Sequence, residues 1–346
     1  MFINTRFGFL LLATLLSMPA TSAEQSAPPT QPSSSRIYLD VVVTPKSGGP
    51  VADLQQQDFT VLDNKAPQTI TSFKMVTGRE APIEVVLVID AVNNTVQSVS
   101  YARIQIDKFL KSEGGHLAYP IAVAVFTDKG TQIVANFSSD GNALSAALQG
   151  DNIGLRDIGR SSGYYGAAER LQLSLRALRQ LVAGVAPHQG RKLVLWVSPG
   201  WPLLSGPGSQ LDSKQQQQIF TDIVSLSTQL SQARVTLYGI DPLGSGESMM
   251  RTSYYQEFLK GITKPSQVDL ADLGLPVLAV QSGGLALNSS NNVAGMVQEC
   301  VAETPYYEIS FDPPAAKQRD EYHHLEIKLS QAGLTARTRQ GYYAQP

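Results

Sequence analysis

Two hydrophobic periods divide this chain. Near both ends apolar residues alternate with polar ones: Ile37, Leu39, Val41 and Val43 at one end, then Tyr307, Ile309 and Phe311, and Leu325, Ile327 and Leu329, at the other. Period two is that of half-buried strands. Phe59–Leu62 and Thr69–Phe73 extend the pattern around the turn residues Asp63-Asn64. Between these ends, unbroken apolar runs, Val85–Ile89 and Leu193–Val197, and the mostly apolar Val235–Ile240 take turns with segments stepping by three and four. An unbroken short run predicts a strand buried on both faces of a parallel sheet. Leu171, Leu175, Leu178, Val182 and Val185 predict one amphipathic helix, and Ile219, Ile223, Leu226 and Leu230 another. Ile121–Phe126 and Thr131–Phe137 read as strands, the second antiparallel at an edge, and Ser138–Gln149, Leu275–Ser282 and Val293–Val301 as helices.

Alternation of this kind predicts an α/β fold over residues 81–302: a doubly wound, mainly parallel sheet with helices on both faces. The β segments 36–80 and 303–346 are each too small to stand alone. Paired with one another they make a small β-sandwich and leave less sheet edge bare. The stretch that organises the middle is Ile83–Asp90, a buried run closed by an acid, followed by Asn93-Asn94-Thr95 with good helix-capping chemistry. That order puts Asp90 at the carboxyl edge of the sheet, where open α/β folds bind ligands.

Composition places the product outside the cytoplasm. Arg6, the apolar run Phe7–Leu16 and the small-residue ending Thr21-Ser22-Ala23 read as a secretory signal cleaved after Ala23. The run is too short for a folded bilayer span. With no cysteine following Ala23 until Cys300, lipid attachment has no residue to use, so a secreted or periplasmic protein is expected. Residues 24–35 form a Pro/Ser-rich linker of disordered composition. Formal charge is -2, and -3 without Arg6, which offers nucleic acid or an anionic membrane nothing to bind. The single cysteine, Cys300, sits among Val293, Met296, Val297 and Val301 and reads as a buried structural thiol.

Catalytic patterns are few. The Gly-x-Ser-x-Gly spacing occurs at Gly159–Gly163 but follows no predicted strand, so it does not read as a nucleophile elbow; there is no phosphate loop, and no glycine in the turn Ala91–Thr95. His116, His188, His323 and His324 have no zinc spacing and read as surface residues, and Glu84 as a solvated carboxylate. The connecting loops are richer. Tyr164 and Tyr165 precede a helix, Trp201 follows a strand, and the segment after Asp241 carries Arg251, Tyr254, Tyr255 and Phe258. Aromatic residues and Arg are what binding surfaces concentrate.

The strand ending in Asp90, the turn Val197-Ser198-Pro199-Gly200 and the strand ending at Asp241 together resemble the von Willebrand factor type A domain. Val51-Ala52-Asp53-Leu54, Gln281-Ser282-Gly283-Gly284 and the closing Gly341-Tyr342-Tyr343 extend the likeness to the von Willebrand A-related secreted proteins abundant in acidobacteria. The resemblance implies a divalent-cation site built on an Asp-x-Ser-x-Ser turn, a later Thr and a later Asp. Here Asp90 matches the leading acid, Val92 stands at the first serine, Asn94 at the second, Ser162 at the threonine and Pro199 at the later aspartate. Hard cations take oxygen ligands, so the resemblance implies a degenerate site, at most a weak Mg²⁺ or Ca²⁺ held by Asp90, Asn94 and Ser162, and no other cofactor. The expected function is an exported, non-enzymatic protein-binding module that works largely without metal. It would engage its partner through Tyr164, Tyr165, Trp201, Arg251, Tyr254 and Tyr255. A metal-dependent adhesin, a structural envelope protein and, last, a hydrolase are the alternatives.

Overall fold

In the computed structural model the described residues are 36–78, 81–150, 163–202, 210–244 and 254–344, with the backbone alone at 163 and 164. The chain begins with β1 (Ile37–Pro45), β2 (Phe59–Asp63), β3 (Ala66–Gln68) and β4 (Ile70–Val76), and then enters β5 (Ile83–Asp90). Helix α1 (Val96–Leu110) leads to β6 (His116–Thr127), β7 (Gly130–Asp140), α2 (Gly141–Gly150) and α3 (Gly163–Val185). Next come β8 (Arg191–Val197), α4 (Ser213–Gln232), β9 (Val235–Ile240), α5 (Leu275–Gln281), β10 (Ala286–Leu287) and α6 (Val293–Val301). The chain returns through β11 (Tyr306–Phe311), β12 (Glu321–Leu329), β13 (Leu334–Arg337) and β14 (Gly341–Ala344).

The unbroken apolar runs became the middle of a six-stranded sheet of order β10-β9-β8-β5-β6-β7. Its pairings are parallel except for the antiparallel edge β6–β7. Alternate residues of each strand feed two cores. Val86, Val88, Val194 and Trp196 face α3, α4 and α5, whereas Val85, Leu87, Ile89, Leu193 and Leu195 face α1, α2 and α6. Two buried faces explain why these strands are almost wholly apolar, Thr236 being the exception in β9. The other two sheets, β13-β1-β11-β4 and β14-β12-β2-β3, are antiparallel throughout. The fold is therefore α/β with sheets of mixed type, and the expectation of a mainly parallel architecture holds for the central sheet alone. Both antiparallel sheets combine strands from the two ends of the chain, and they share one core of Leu39, Val41, Phe59, Val61, Ile309, Phe311 and Leu325.

Apolar contact and a buried ionic cluster join this sandwich to the central sheet. Val42 of β1 and Tyr343 of β14 reach into the two central cores. Arg191, 1% exposed, donates to Glu303 Oε2 at 3.1 Å and to the Tyr238 hydroxyl at 3.3 Å, and Arg337 of β13 donates to the other Glu303 oxygen. Arg234 bridges Asp40 of β1 and Glu308 of β11. Gly190, with φ +82°, makes the turn into β8; any Cβ there would lie 2.0 Å from the Pro82 carbonyl oxygen, so glycine is required.

Three details differ from the sequence reading. Residues 138–140 finish β7, and the helix begins only at Gly141. His323 is buried: its Nδ1 lies 2.7 Å from Asp63 Oδ1, and Tyr342 donates its hydroxyl to Asp63 Oδ2 at 2.6 Å. Glu84 is paired as well, 2.7 Å from His188 Nδ1. The first partnership links residues 260 apart in sequence and the second 104 apart, separations that strand alternation cannot reveal.

Candidate functional site

Asp90 ends β5 on the same face as Val86 and Val88, because side chains alternate along a strand. On the neighbouring strand Val88 pairs with Trp196, which brings the indole beside the acid. Asp90 is fully buried, and four N–H groups converge on it. Oδ1 accepts the backbone N–H groups of Val92 at 2.9 Å and Asn93 at 2.8 Å. Oδ2 accepts Asn93 Nδ2 at 2.8 Å and Trp196 Nε1 at 3.0 Å. Burial raises the carboxyl above its ordinary range, and the hydrogen bonds from Asn93, Trp196 and Ser198 offset only part of this.

The turn that follows is closed just as tightly. Asn94 Nδ2 donates to the carbonyl oxygens of Asp90 at 2.8 Å and Val197 at 3.3 Å, tying the ends of β5 and β8 together. Asn93 Nδ2 also reaches Ser174 Oγ of α3 at 3.0 Å. The cap of α1 is Thr95, which accepts the Ser98 N–H at 3.1 Å; Asp90 holds the turn before the helix and does not cap it. Val92 is 1% exposed and packs in the core. A cation approaching either Asp90 oxygen would meet hydrogens already directed there, and Asn94 presents its amide N–H to the backbone. This donor set does not fit a divalent ion, which needs converging oxygens. Among the described residues no group of three or more His, Cys, Asp and Glu is disposed to hold a metal. Ser162 lies outside the described residues.

Beside the acid turn opens a cleft of about 580 Å³ along the carboxyl ends of β8 and β9. Its lining includes Asn93, Arg170, Ser198, Trp201, Tyr254 and Tyr255. The structure thus brings Trp201, Tyr254 and Tyr255 to one cavity next to Asp90's hydrogen-bond partner. Their exposures differ. Trp201 is 3% exposed and packs edge-on against Trp196, with ring centres 5.4 Å apart and planes at 82°. It is a wall of the cleft and part of the core at once. Tyr254 and Tyr255 are half-buried, and Tyr254 rests on Phe258 at 5.2 Å. Tyr165, at the start of α3, is 85% exposed and is not among the lining residues. The Tyr164 side chain and Arg251 fall outside the described residues.

Two participants escaped the sequence reading. Trp196 looked like one more apolar residue of a buried run, yet a buried indole needs a partner for its N–H, and that requirement was the available signal. Arg170 stands one turn before Ser174 on the helix predicted from Leu171 onward, and no motif announced it.

No family model and no curated protein matches the sequence. Solved structures give a weak resemblance, at 10–14% identity, to several von Willebrand A and A-like folds. One is proximal thread matrix protein 1 of the mussel byssus, with TM-score 0.39 and 14% identity over 70% of this chain and 51% of that one. Another is the manganese-loaded TRAP protein of Plasmodium vivax, with TM-score 0.37 and 10% identity over 79% and 98%. A third is the SpRpn10 VWA domain, with TM-score 0.31 and 11% identity over 65% and 95%. The chain spans about half the length of the mussel protein.

Proposed function

We propose that this chain is an exported, non-enzymatic recognition module of the von Willebrand A type whose metal-ion-dependent adhesion site has degenerated. It binds a protein partner in the cleft beside Asp90, without a divalent cation. The observation that carries this reading is the closure of Asp90 by four N–H donors next to an aromatic-walled cleft. A carboxylate so engaged has a structural task, fixing the turn that forms one side of the cleft. Recognition is then left to shape, aromatic surface and hydrogen bonding. The signal-like N-terminus supports export, and no helix among the described residues is long and apolar enough to cross a membrane. The Asp63–His323 pair resembles half of a catalytic triad, but both residues are buried in the sandwich and His323 Nε2 has no hydrogen-bond partner. No nucleophile is therefore poised on it.

The test is capture of a partner from the exported fraction, using the wild type and a Tyr254→Ala/Tyr255→Ala variant, each with and without chelator. The reading expects capture that survives the chelator and is lost in the variant. Capture abolished by chelator would instead favour cation-gated adhesion.

A further inference from the structure

We propose that the outer edge of β4, in the sandwich, receives an extended segment of a partner protein as an added strand, apolar toward the seam between the two sheets and acidic opposite Lys74. The order β13-β1-β11-β4 leaves β4 with a neighbour on one side only. Among the described residues no backbone hydrogen bond apart from the β11 pairing reaches residues 70–76. A bare strand edge offers alternate N–H and C=O groups, and another extended backbone is what satisfies a row of them. Register against β11 shifts at Thr71, after which Ser72–Val76 runs evenly against Ser310–Tyr306. The longer edge strand β7 breaks register three times against β6, and such irregularity turns an edge away from new neighbours.

Side chains decide what the segment carries. Phe73 and Met75 lie opposite Ile309 and Tyr307 and so share the core face. The core stays open there: Phe73 is half-buried and Met75 is 39% exposed. Across the seam Phe59 of β2 meets Phe73, with ring centres 5.3 Å apart. β3 covers β2 only from Val61 to Asp63, because the chain crosses to the other sheet after Gln68. Where β3 stops, a groove of about 440 Å³ opens, lined by Phe59 and Ile70 and by the neutral groups of Gln56, Gln57, Thr60 and Gln68. Every second side chain of an added strand enters this uncharged seam and is therefore apolar. The intervening ones share the outer face with Lys74, which is exposed and forms no ion pair among the described residues. Its cross-strand neighbour Glu308 is already held by Arg234 at 2.7 Å. Opposite charges across a strand pair attract and like charges repel, so Lys74 selects an acid on that face of the segment.

The probe is a displayed library of random peptides selected on the full chain, followed by calorimetry with selected peptides. Expected are sequences with alternating apolar residues and an Asp or Glu between them. N-methylation of the peptide backbone should cost about fivefold or more in affinity at every second position and little at those between, the signature of a strand ladder. Met75→Asp, which sets a charge in the seam, should abolish measurable binding while thermal unfolding matches the wild type. Lys74→Glu should weaken acidic peptides about two- to fivefold and favour Lys-bearing counterparts. Tyr254→Ala/Tyr255→Ala should change nothing, which separates this edge from the cleft. No selected peptide, binding that survives Met75→Asp, or an N-methyl scan without alternation overturns the proposal. So does a chain that is dimeric by light scattering and becomes monomeric in Met75→Asp, because a second copy then occupies the edge.

Discussion

Replacing Asp90 by Asn tests the closed turn directly. The substitution keeps the size of the side chain and removes one acceptor atom. If the remaining oxygen faces the Val92 and Asn93 backbone N–H groups, the new amide N–H₂ faces Asn93 Nδ2 and Trp196 Nε1, donor against donor. Asn93 can turn its amide over, at the expense of its bond to Ser174. Trp196 has no such freedom, because it is fully buried and packed between Phe126 and Trp201. Each hydrogen bond to a charged group contributes about 1.5–3 kcal/mol, so losing two costs roughly 3–6 kcal/mol. Removing a buried charge returns part of this, since burial already raises the carboxyl. A net loss of about 2–4 kcal/mol is expected, read by urea unfolding followed by far-ultraviolet circular dichroism. Adding Trp196→Phe removes the stranded indole N–H, so the double variant should be less destabilised than the sum of the singles by about 1 kcal/mol or more. An Asp90→Asn protein as stable as the wild type, or strictly additive singles, would refute the reasoning.

Three further expectations follow from the same structure. Asp272 is 2% exposed, and burial, helped by the nearby Asp269 charge, raises its carboxyl to about 7. Its stabilising contribution is therefore complete below the unfolded value near 4 and is lost as pH rises toward 7, a change of at most about 4 kcal/mol. Asp272→Asn, which keeps an acceptor for the Asp269 N–H, should be more stable than the wild type at pH 8 and flatten the melting profile between pH 4 and 8. Trp201→Ala should cost about 3–5 kcal/mol in chemical unfolding, as for any large buried aromatic, while Tyr254→Ala stays within about 1 kcal/mol. Glu303→Gln should cost about 3–5 kcal/mol, because it leaves Arg191 buried without its carboxylate; a smaller loss would show that the cluster joining sandwich and sheet carries little stability.

Much of the fold was legible because burial writes periodicity into sequence. Val85–Ile89, Leu193–Val197 and Val235–Ile240 had to be strands with two covered faces, and the acid closing the first had to reach the carboxyl edge. The site was less legible, because its decisive contacts are long-range. Trp196 and Asp90 are 106 residues apart, and only the register that sets Val88 opposite Trp196 makes them neighbours. Trp201 read as a loop aromatic that could equally contact a partner or pack, since a residue just past a strand gives no period to judge it by. His323 read as a surface residue because its partner, Asp63, comes from the other end of the chain. That Val92 and Pro199 offer no ligating side-chain oxygen was visible in the sequence, whereas the N–H donors around Asp90 needed the packed sheet to be seen.

The most direct test of the central claim is thermal unfolding of the chain with Mg²⁺, Ca²⁺ or Mn²⁺ in turn, against the same protein in chelator, in wild type and Asp90→Asn. A ligand bound only to the native state at 100 times its Kd stabilises by about 2.7 kcal/mol, a shift easily read. With Asp90 sealed by N–H donors, the melting temperature should be the same with each cation and with chelator. An Asp90-dependent rise on adding any one of these ions at millimolar concentration would contradict the account.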